Sequence, residues 1–224
     1  KKLEFLDEIE IDNISYTYPR KSTPVVRNFS LSIKKGDFIG IAGKSGRGKS
    51  TILDLLMGLI KPSTGKILVD GNDIQKNLKN WQAGLGYVSQ STNLLDDTIK
   101  NNIAFGIPDS EIEEGKLYES AKNSQILEFI NSLKDKFETP VGERGIAISG
   151  GQIQRIGIAR ELYRDPSIIL LDESTSSLDL ETEKEFLKCL NQLKGKKTII
   201  FVSHRRSALE NCNKIIELDN YDQK

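Results

Sequence analysis

A glycine-rich octapeptide constrains this chain more than any other feature. Residues Gly43–Ser50 read Gly-Lys-Ser-Gly-Arg-Gly-Lys-Ser and match the pattern Gly-x-x-x-x-Gly-Lys-Ser/Thr at every required position. The apolar run Phe38–Ala42 before the octapeptide predicts a buried strand, and the apolar residues of 52–59 after it follow helical spacing. A strand, a glycine-rich loop and a helix in this order predict a phosphate-binding loop at the helix N-terminus.

The octapeptide predicts binding of ATP with magnesium. Its glycines let backbone N–H groups wrap around phosphates with no Cβ in the way. Lys49 is expected to contact the β- and γ-phosphates, and the Ser50 hydroxyl is expected to bind magnesium. The alternative is an ordinary glycine turn. The residues of this segment that we expect to contact the nucleotide are Gly43, Lys44, Ser45, Gly46, Arg47, Gly48, Lys49, Ser50 and Thr51.

Two carboxylates follow a second apolar run. Ile168–Leu171 predicts a buried strand, and Asp172 and Glu173 come directly after it. Asp172 suits a second magnesium contact through water. Glu173 is expected to point the other way along the pleat and to polarise the water that attacks the γ-phosphate. The alternative is an acidic turn at the end of a strand.

Two further features predict parts of the same site. Ser149–Gln152 reads Ser-Gly-Gly-Gln at the start of a helical pattern, which predicts a second anion-binding helix N-terminus or simple capping. A protein with one phosphate loop has little need of a second phosphate-binding helix, so two copies that face each other would explain this motif. His204, the only histidine, follows the predicted strand Thr198–Val202, where sites of α/β proteins cluster; the alternative is a structural histidine.

The distribution of patterns along the chain indicates an α/β fold. Short alternating segments in 8–33 predict strands, and strands return from Ser167 onward in alternation with a helical stretch at 182–193. The region of about 95–162 has a different character and predicts an inserted helical lobe. Four apolar residues there have helical spacing and predict one amphipathic helix; they are Ile126, Ile130, Leu133 and Phe137.

The charge balance and the hydropathy limit the possible partners. Lys plus Arg and Asp plus Glu each number 32, so the net charge is zero and no whole-protein basic field favours nucleic acid. No apolar run approaches the length of about 18 residues that a membrane helix needs. The chain begins with Lys1 and Lys2 rather than Met, which predicts a piece of a longer polypeptide.

These residues together resemble the ATP-binding cassette family of transporter ATPases over nearly the whole chain. Seven motifs of that family occur in the right order. They are the adenine-stacking aromatic Tyr18, the Walker A loop Gly43–Ser50, the Q-loop residue Gln90, the signature Ser149–Gln152, the Walker B strand Ile168–Asp172, the D-loop Ser176–Asp179 and the switch histidine His204.

Three departures from the family pattern stand out. Ile148 precedes the signature where the family usually has Leu, and Ser177 replaces the commoner Ala of the D-loop. Arg47 replaces a small residue of the Walker A loop; we expect its side chain to point outward and assign it no role.

Two segments are similar to the exporter branch of the family. They are Asp97–Gly106 and Val141–Gly145, the latter resembling the exporter X-loop that touches the membrane domains. Among exporters, the sequence is similar to those of bacterial flippases of lipid-linked oligosaccharides and related polysaccharide transporters. The expected function is therefore export or flipping of a substrate across a membrane. The alternatives are a soluble cassette ATPase that acts on nucleic acid and an ATP sensor that does not hydrolyse.

The resemblance implies a fold and a mechanism. Residues 1–224 form one ATP-binding domain: a P-loop NTPase core with a parallel sheet, an N-terminal antiparallel β subdomain and an inserted α-helical subdomain. Glu173, His204 and Lys49 are catalytic, and magnesium is held by Ser50, Gln90 and Asp172. Two copies form a homodimer that sandwiches ATP between the phosphate loop of one and Ser149, Gly150, Gly151 and Gln152 of the other.

The resemblance also implies partners and a location. A transmembrane domain, fused before residue 1 in the full chain, is the expected partner, and no nucleic acid is expected. The expected location is the cytoplasmic face of the plasma (inner) membrane.

Overall fold

A computed structural model describes residues 4–143, 145–175 and 178–219. The strands are β1 (Glu8–Tyr16), β2 (Val26–Lys34), β3 (Phe38–Ala42), β4 (Thr64–Val69), β5 (Asn72–Asp73), β6 (Leu85–Val88), β7 (Asp97–Thr98), β8 (Pro140–Val141), β9 (Ile168–Asp172), β10 (Thr198–Ser203) and β11 (Lys214–Glu217). The α-helices are α1 (Lys49–Met57), α2 (Leu78–Gln82), α3 (Ile99–Ile103), α4 (Glu114–Asn123), α5 (Leu127–Ser132), α6 (Gly150–Tyr163) and α7 (Leu180–Leu193). No helix in these three ranges combines the length and the apolar character needed to cross a bilayer.

The chain divides into two compact units. The first contains the described residues of 1–85, 167–173 and 194–224, and the second those of 86–166 and 174–193. The predicted helical region of about 95–162 falls inside the second unit. Each unit is described by itself below.

An antiparallel sheet forms one part of the first unit. Its strands lie in the order β2-β1-β4-β5. Ile9 of β1 lies opposite Ile33 of β2 and Val69 of β4, and all three side chains are buried. The alternation predicted within 8–33 therefore forms two strands that place apolar side chains on one face, and the antiparallel subdomain is confirmed.

A parallel sheet forms the other part of the first unit, with strands in the order β11-β3-β10-β9. All three pairings are parallel: Val202 of β10 lies opposite Ile41 of β3 and Asp172 of β9, and Glu217 of β11 lies opposite Ala42. Every residue of β3 and β10 is buried, as expected for strands covered on both faces. The α/β class is confirmed, and the carboxyl ends of four strands meet at one edge.

Helices α3 to α6 enclose the core of the second unit. The prediction of one continuous helix through Ile126, Ile130, Leu133 and Phe137 is wrong beyond Ser132, where α5 ends. Leu133 has an extended backbone, and Phe137 lies in a separate short 3-10 helix. Both side chains still pack against the buried cluster that contains Ile126 and Ile130. The spacing of these four apolar residues therefore reflects a shared apolar core and not an unbroken helix.

Candidate nucleotide-binding site

The predicted phosphate loop joins β3 to α1. Gly48 is the residue before the helix and has a φ of 86°, a left-handed conformation that favours glycine. A Cβ at this position would lie 2.9 Å from the carbonyl oxygen of Val25, so a side chain is excluded by contact as well as by conformation. Among the described residues, no side chain caps the N-terminus of α1. Its first-turn N–H groups are therefore placed to receive an anion.

The Lys49 ammonium holds the loop in its curved shape. The side chain is buried, and Nζ donates hydrogen bonds to the carbonyl oxygens of Gly43 at 2.8 Å and Lys44 at 3.0 Å. Oε1 of Glu173 lies 3.2 Å from the same nitrogen. A buried ammonium needs such compensation. These partners keep a positive charge at the centre of the loop.

Glu173 connects Lys49 to the single histidine. Its Oε2 lies 3.5 Å from Nδ1 of His204, while its backbone N–H donates to the carbonyl oxygen of Val202 at 3.0 Å. The expected reason for its orientation, alternation along a pleat, is wrong. Glu173 lies one residue beyond β9 with a φ of 43°, and this left-handed backbone directs the side chain.

A cavity of about 610 Å³ lies against these residues, within the size range of ligand sites. Its walls are formed by residues 42–45, Glu173, His204, Arg206, Glu217 and Asp219. Sequence reasoning missed the last three. They enter because parallel pairing brings the ends of β10 and β11 to the edge where β3 ends, which no local pattern reveals.

The oxygen donors of the first unit fit magnesium. Ser50 is exposed in the first turn of α1, and Asp172 ends β9. Partial burial raises the pKa of the Asp54 carboxyl, and the negative charge of Asp172 raises it further. The carboxyls of Asp54 and Asp172 are thus close enough to interact, and neighbouring carboxyls of this kind suit a cation. The described residues contain no group of three His, Cys, Asp or Glu side chains that form a metal cage, consistent with an ion held by one or two side chains and by phosphates.

Tyr18 lies at the side of the phosphate loop helix. Its ring is half-buried and meets Tyr16 edge to face, with centroids 5.0 Å apart. Its Oη lies 3.0 Å from Oγ1 of Thr51, the third residue of α1. This hydrogen bond fixes the ring relative to the predicted phosphate site.

The remaining predicted binding residues belong to the second unit. Ser149 and Gln152 form a reciprocal capping box: Ser149 Oγ accepts from the Gln152 backbone at 3.3 Å, and the Ser149 backbone donates to Gln152 Oε1 at 2.8 Å. The capping alternative is thus realised. In the capping box, the Ser149 hydroxyl acts only as an acceptor. Its O–H group can still donate a hydrogen bond to an anion.

Gln154 is a residue that sequence reasoning missed. It is buried in α6, and its Nε2 donates to the carbonyl oxygen of Gln90 at 3.0 Å. Its Oε1 accepts from Thr92 at 3.0 Å. Gln154 therefore ties the predicted Q-loop to the helix that follows the signature. Its place two residues after Gln152 was the only available signal.

Parts of two predicted motifs lie outside the described residues. These are Ser176 and Ser177 of the D-loop and Arg144 of the X-loop. Asp179, the last D-loop residue, caps α7 by accepting from the backbone of Glu181 and Thr182, each at 3.1 Å.

The fold and the phosphate loop define an ATP-binding domain with a parallel-sheet core. The sequence model of the family described as ABC transporter matches residues 26–176, more than half of the chain. The chain therefore belongs to the ABC transporter family, as one of its ATPase domains.

The relatives are transport proteins. The chain is 42% identical to the ABC multidrug transporter atrD of Emericella nidulans, over 98% of this chain and 16% of that protein. It is 39% identical to the ATP-dependent lipid A-core flippase of Haemophilus influenzae, over 95% of this chain and 36% of that protein. A solved bacterial Atm1-family ABC exporter with ATP bound is 36% identical, with a TM-score of 0.82 over 95% of this chain and 37% of that one.

The comparisons confirm the resemblance to exporters and do not favour the nucleic-acid alternative. The chain spans only about a sixth to a third of the length of these relatives. The activity, substrate and partners of a whole protein are therefore matters of proposal.

Proposed function

We propose that this domain hydrolyses ATP to drive export or flipping of a substrate across a membrane. The observation that carries the proposal is the chain of contacts from Lys49 through Glu173 to His204 at the phosphate loop. The names of the relatives support the direction of transport. A lipid-linked oligosaccharide is our proposed substrate class, on the resemblance alone.

Each residue has a distinct proposed role. Lys49 binds the β- and γ-phosphates and leaves its present partners to do so. Glu173, released from Lys49, accepts the proton of the attacking water, and His204 orients Glu173 and the γ-phosphate. Ser50, Asp172 and Gln90 would hold magnesium, which when bound neutralises charge on the phosphates.

The proposed site is complete only in a dimer. Ser149, Gly150 and Gly151 form a capped helix N-terminus that suits phosphate, and the first unit already has one such terminus in its own loop. In the proposed homodimer, each ATP contacts the loop of one chain and the signature of the other. Such a two-fold arrangement is the commonest closed oligomer.

The membrane partner is also a proposal. A transmembrane domain, fused N-terminally in the full chain, would contact the second unit near Gln90 and Glu143. The proposed location of the domain is the cytoplasmic face of the plasma membrane. Closure of the dimer on ATP and its opening after hydrolysis would then move the membrane domain.

We expect the specific activity of the purified chain to depend on its concentration. Steady-state phosphate release per milligram should rise about tenfold for a tenfold rise in concentration while dimers are scarce, by mass action. Phosphate release over a hundredfold dilution series checks this. A flat profile would argue against shared sites, and no release at any concentration would argue for an ATP sensor.

Tyr18 should contribute to nucleotide affinity through its ring. We expect Tyr18→Ala to raise the Kd for ATP about tenfold or more, because stacking on a base contributes about 1–3 kcal/mol. Tyr18→Phe keeps the ring and loses only the bond to Thr51, so its Kd should rise less than about fivefold. Equilibrium binding of ATP checks both variants. Equal losses in the two would assign the effect to the hydroxyl rather than to the ring.

A further inference from the structure

An ion pair lies beside the phosphate loop. Nε of Arg47 is 3.2 Å from Oδ1 of Asp219, two residues beyond β11. The Arg47 side chain is 46% exposed and that of Asp219 is 32% exposed. Arg47 thus does not simply point into solvent, as its sequence position suggested. It is also the residue at which this loop departs from the small side chain of the family pattern.

The segment that carries Asp219 is fixed to the loop independently of the ion pair. Strand β11 pairs with β3, with Glu217 opposite Ala42. Leu218 is buried, and its Cβ lies 3.3 Å from the position that a Cβ of Gly43 would occupy. Asp219 therefore keeps its place beside the loop even when Arg47 is changed.

The charge of Arg47 lies beside the cavity that we assign to the nucleotide. Asp219 forms part of the wall of that cavity, and its Oδ1 is 3.2 Å from Nε of Arg47. Charges this close to a cavity act on bound phosphates, because salt screens charges strongly only beyond a Debye length of about 8–10 Å. A guanidinium stays charged at every relevant pH. The negative charge of Asp219 therefore reduces the attraction of Arg47 for the phosphate tail.

We propose that Asp219 sets the nucleotide affinity of the phosphate loop by compensating the charge of Arg47. With this ion pair, the loop can contain an arginine and still release ADP and phosphate, because the positive charge is partly compensated. Asp219 also forms part of the cavity wall, so its negative charge opposes phosphate binding whether or not Arg47 is present. The two residues therefore have opposite effects on binding.

The test is a double-mutant cycle in the purified full-length protein. We expect Asp219→Asn to lower the Kd for ATP about threefold to tenfold, because one added positive charge acts on several negative ones at a partly screened distance. Arg47→Ser should raise the Kd, and the double variant should return to within about twofold of the original. The effect of Asp219→Asn should grow from AMP to ADP to ATP and shrink as salt is added.

Two controls keep the result specific. Asp7→Asn makes the same change in net charge at an exposed carboxylate beside β1, and it should leave the Kd unchanged. If Asp219→Asn lowers the melting temperature enough to prevent binding measurements, Asp219→Ser removes the same charge and carries the same expectation. The proposal is overturned if neutralising Asp219 weakens ATP binding, if AMP and ATP respond equally, or if Asp7→Asn gives the same gain.

Discussion

Replacing Glu173 by Gln lowers the rate of ATP hydrolysis by about 100-fold or more, in the range expected for loss of a general base. The amide cannot accept the proton of the attacking water at neutral pH. It does keep an oxygen that can face the Lys49 ammonium, now 3.2 Å from the carboxylate. We therefore expect ATP affinity within about threefold of the original, since the loop keeps its shape. Single-turnover phosphate release and equilibrium ATP binding measure the two quantities separately.

Glu173→Ala is the matched comparison. It removes both the base and the partner of a buried ammonium, so it should lose hydrolysis and also reduce thermal stability. Full turnover in the Gln variant would remove Glu173 from the role of base. Loss of ATP binding in the Gln variant would show that the contact with Lys49 serves binding instead.

Replacing Gly150 by Asp should abolish hydrolysis with the fold intact. A Cβ at Gly150 would meet nothing closer than Leu178 Cδ2 at 3.6 Å, an ordinary contact. An acidic residue in the first turn of α6 also favours the helix dipole, by about 0.3–1 kcal/mol. The carboxylate would repel phosphates that approach this helix, so we expect phosphate release to fall about 100-fold. ATP binding to the loop of the same chain should persist.

Gly150→Asn separates charge from shape in this experiment. The asparagine side chain has nearly the same volume as that of aspartate but no charge. We therefore expect a much smaller loss of phosphate release in Gly150→Asn than in Gly150→Asp. Gly151 is unsuitable for the purpose, because a Cβ there would collide with Thr182 of α7. Equal losses in the Asp and Asn variants would indicate a steric effect on α6 rather than a phosphate contact.

Local patterns predicted the parts of the site that depend on local geometry. The loop Gly43–Ser50 lies between β3 and α1 as expected, and Glu173 and His204 follow β9 and β10. The carboxyl ends of parallel strands lie at the same edge of the sheet, so residues that follow these strands come together there. Their proximity could therefore be predicted from the strand pattern alone. Both the phosphate loop and the α/β class could therefore be predicted from strand and helix patterns.

The remaining features depend on contacts between distant segments. The ion pair of Arg47 with Asp219 exists because β11 pairs with β3, and no spacing in the sequence encodes that pairing. The backbone conformation of Glu173 is unfavourable for a non-glycine residue and is imposed by its surroundings. Leu133 packs against the core of the second unit without a helical backbone, since packing requires only that the side chain reach the core.

Sedimentation of the Glu173→Gln chain tests the central claim, that the phosphate loop is half of a site completed by Ser149–Gln152 of a second copy. At ATP concentrations about 100 times the Kd, the chain should sediment as a dimer, and without ATP as a monomer. Adding Gly150→Asp should return it to a monomer that still binds ATP, while Gly150→Asn should leave dimers. A monomer at saturating ATP, or a dimer that tolerates the aspartate, would contradict the claim.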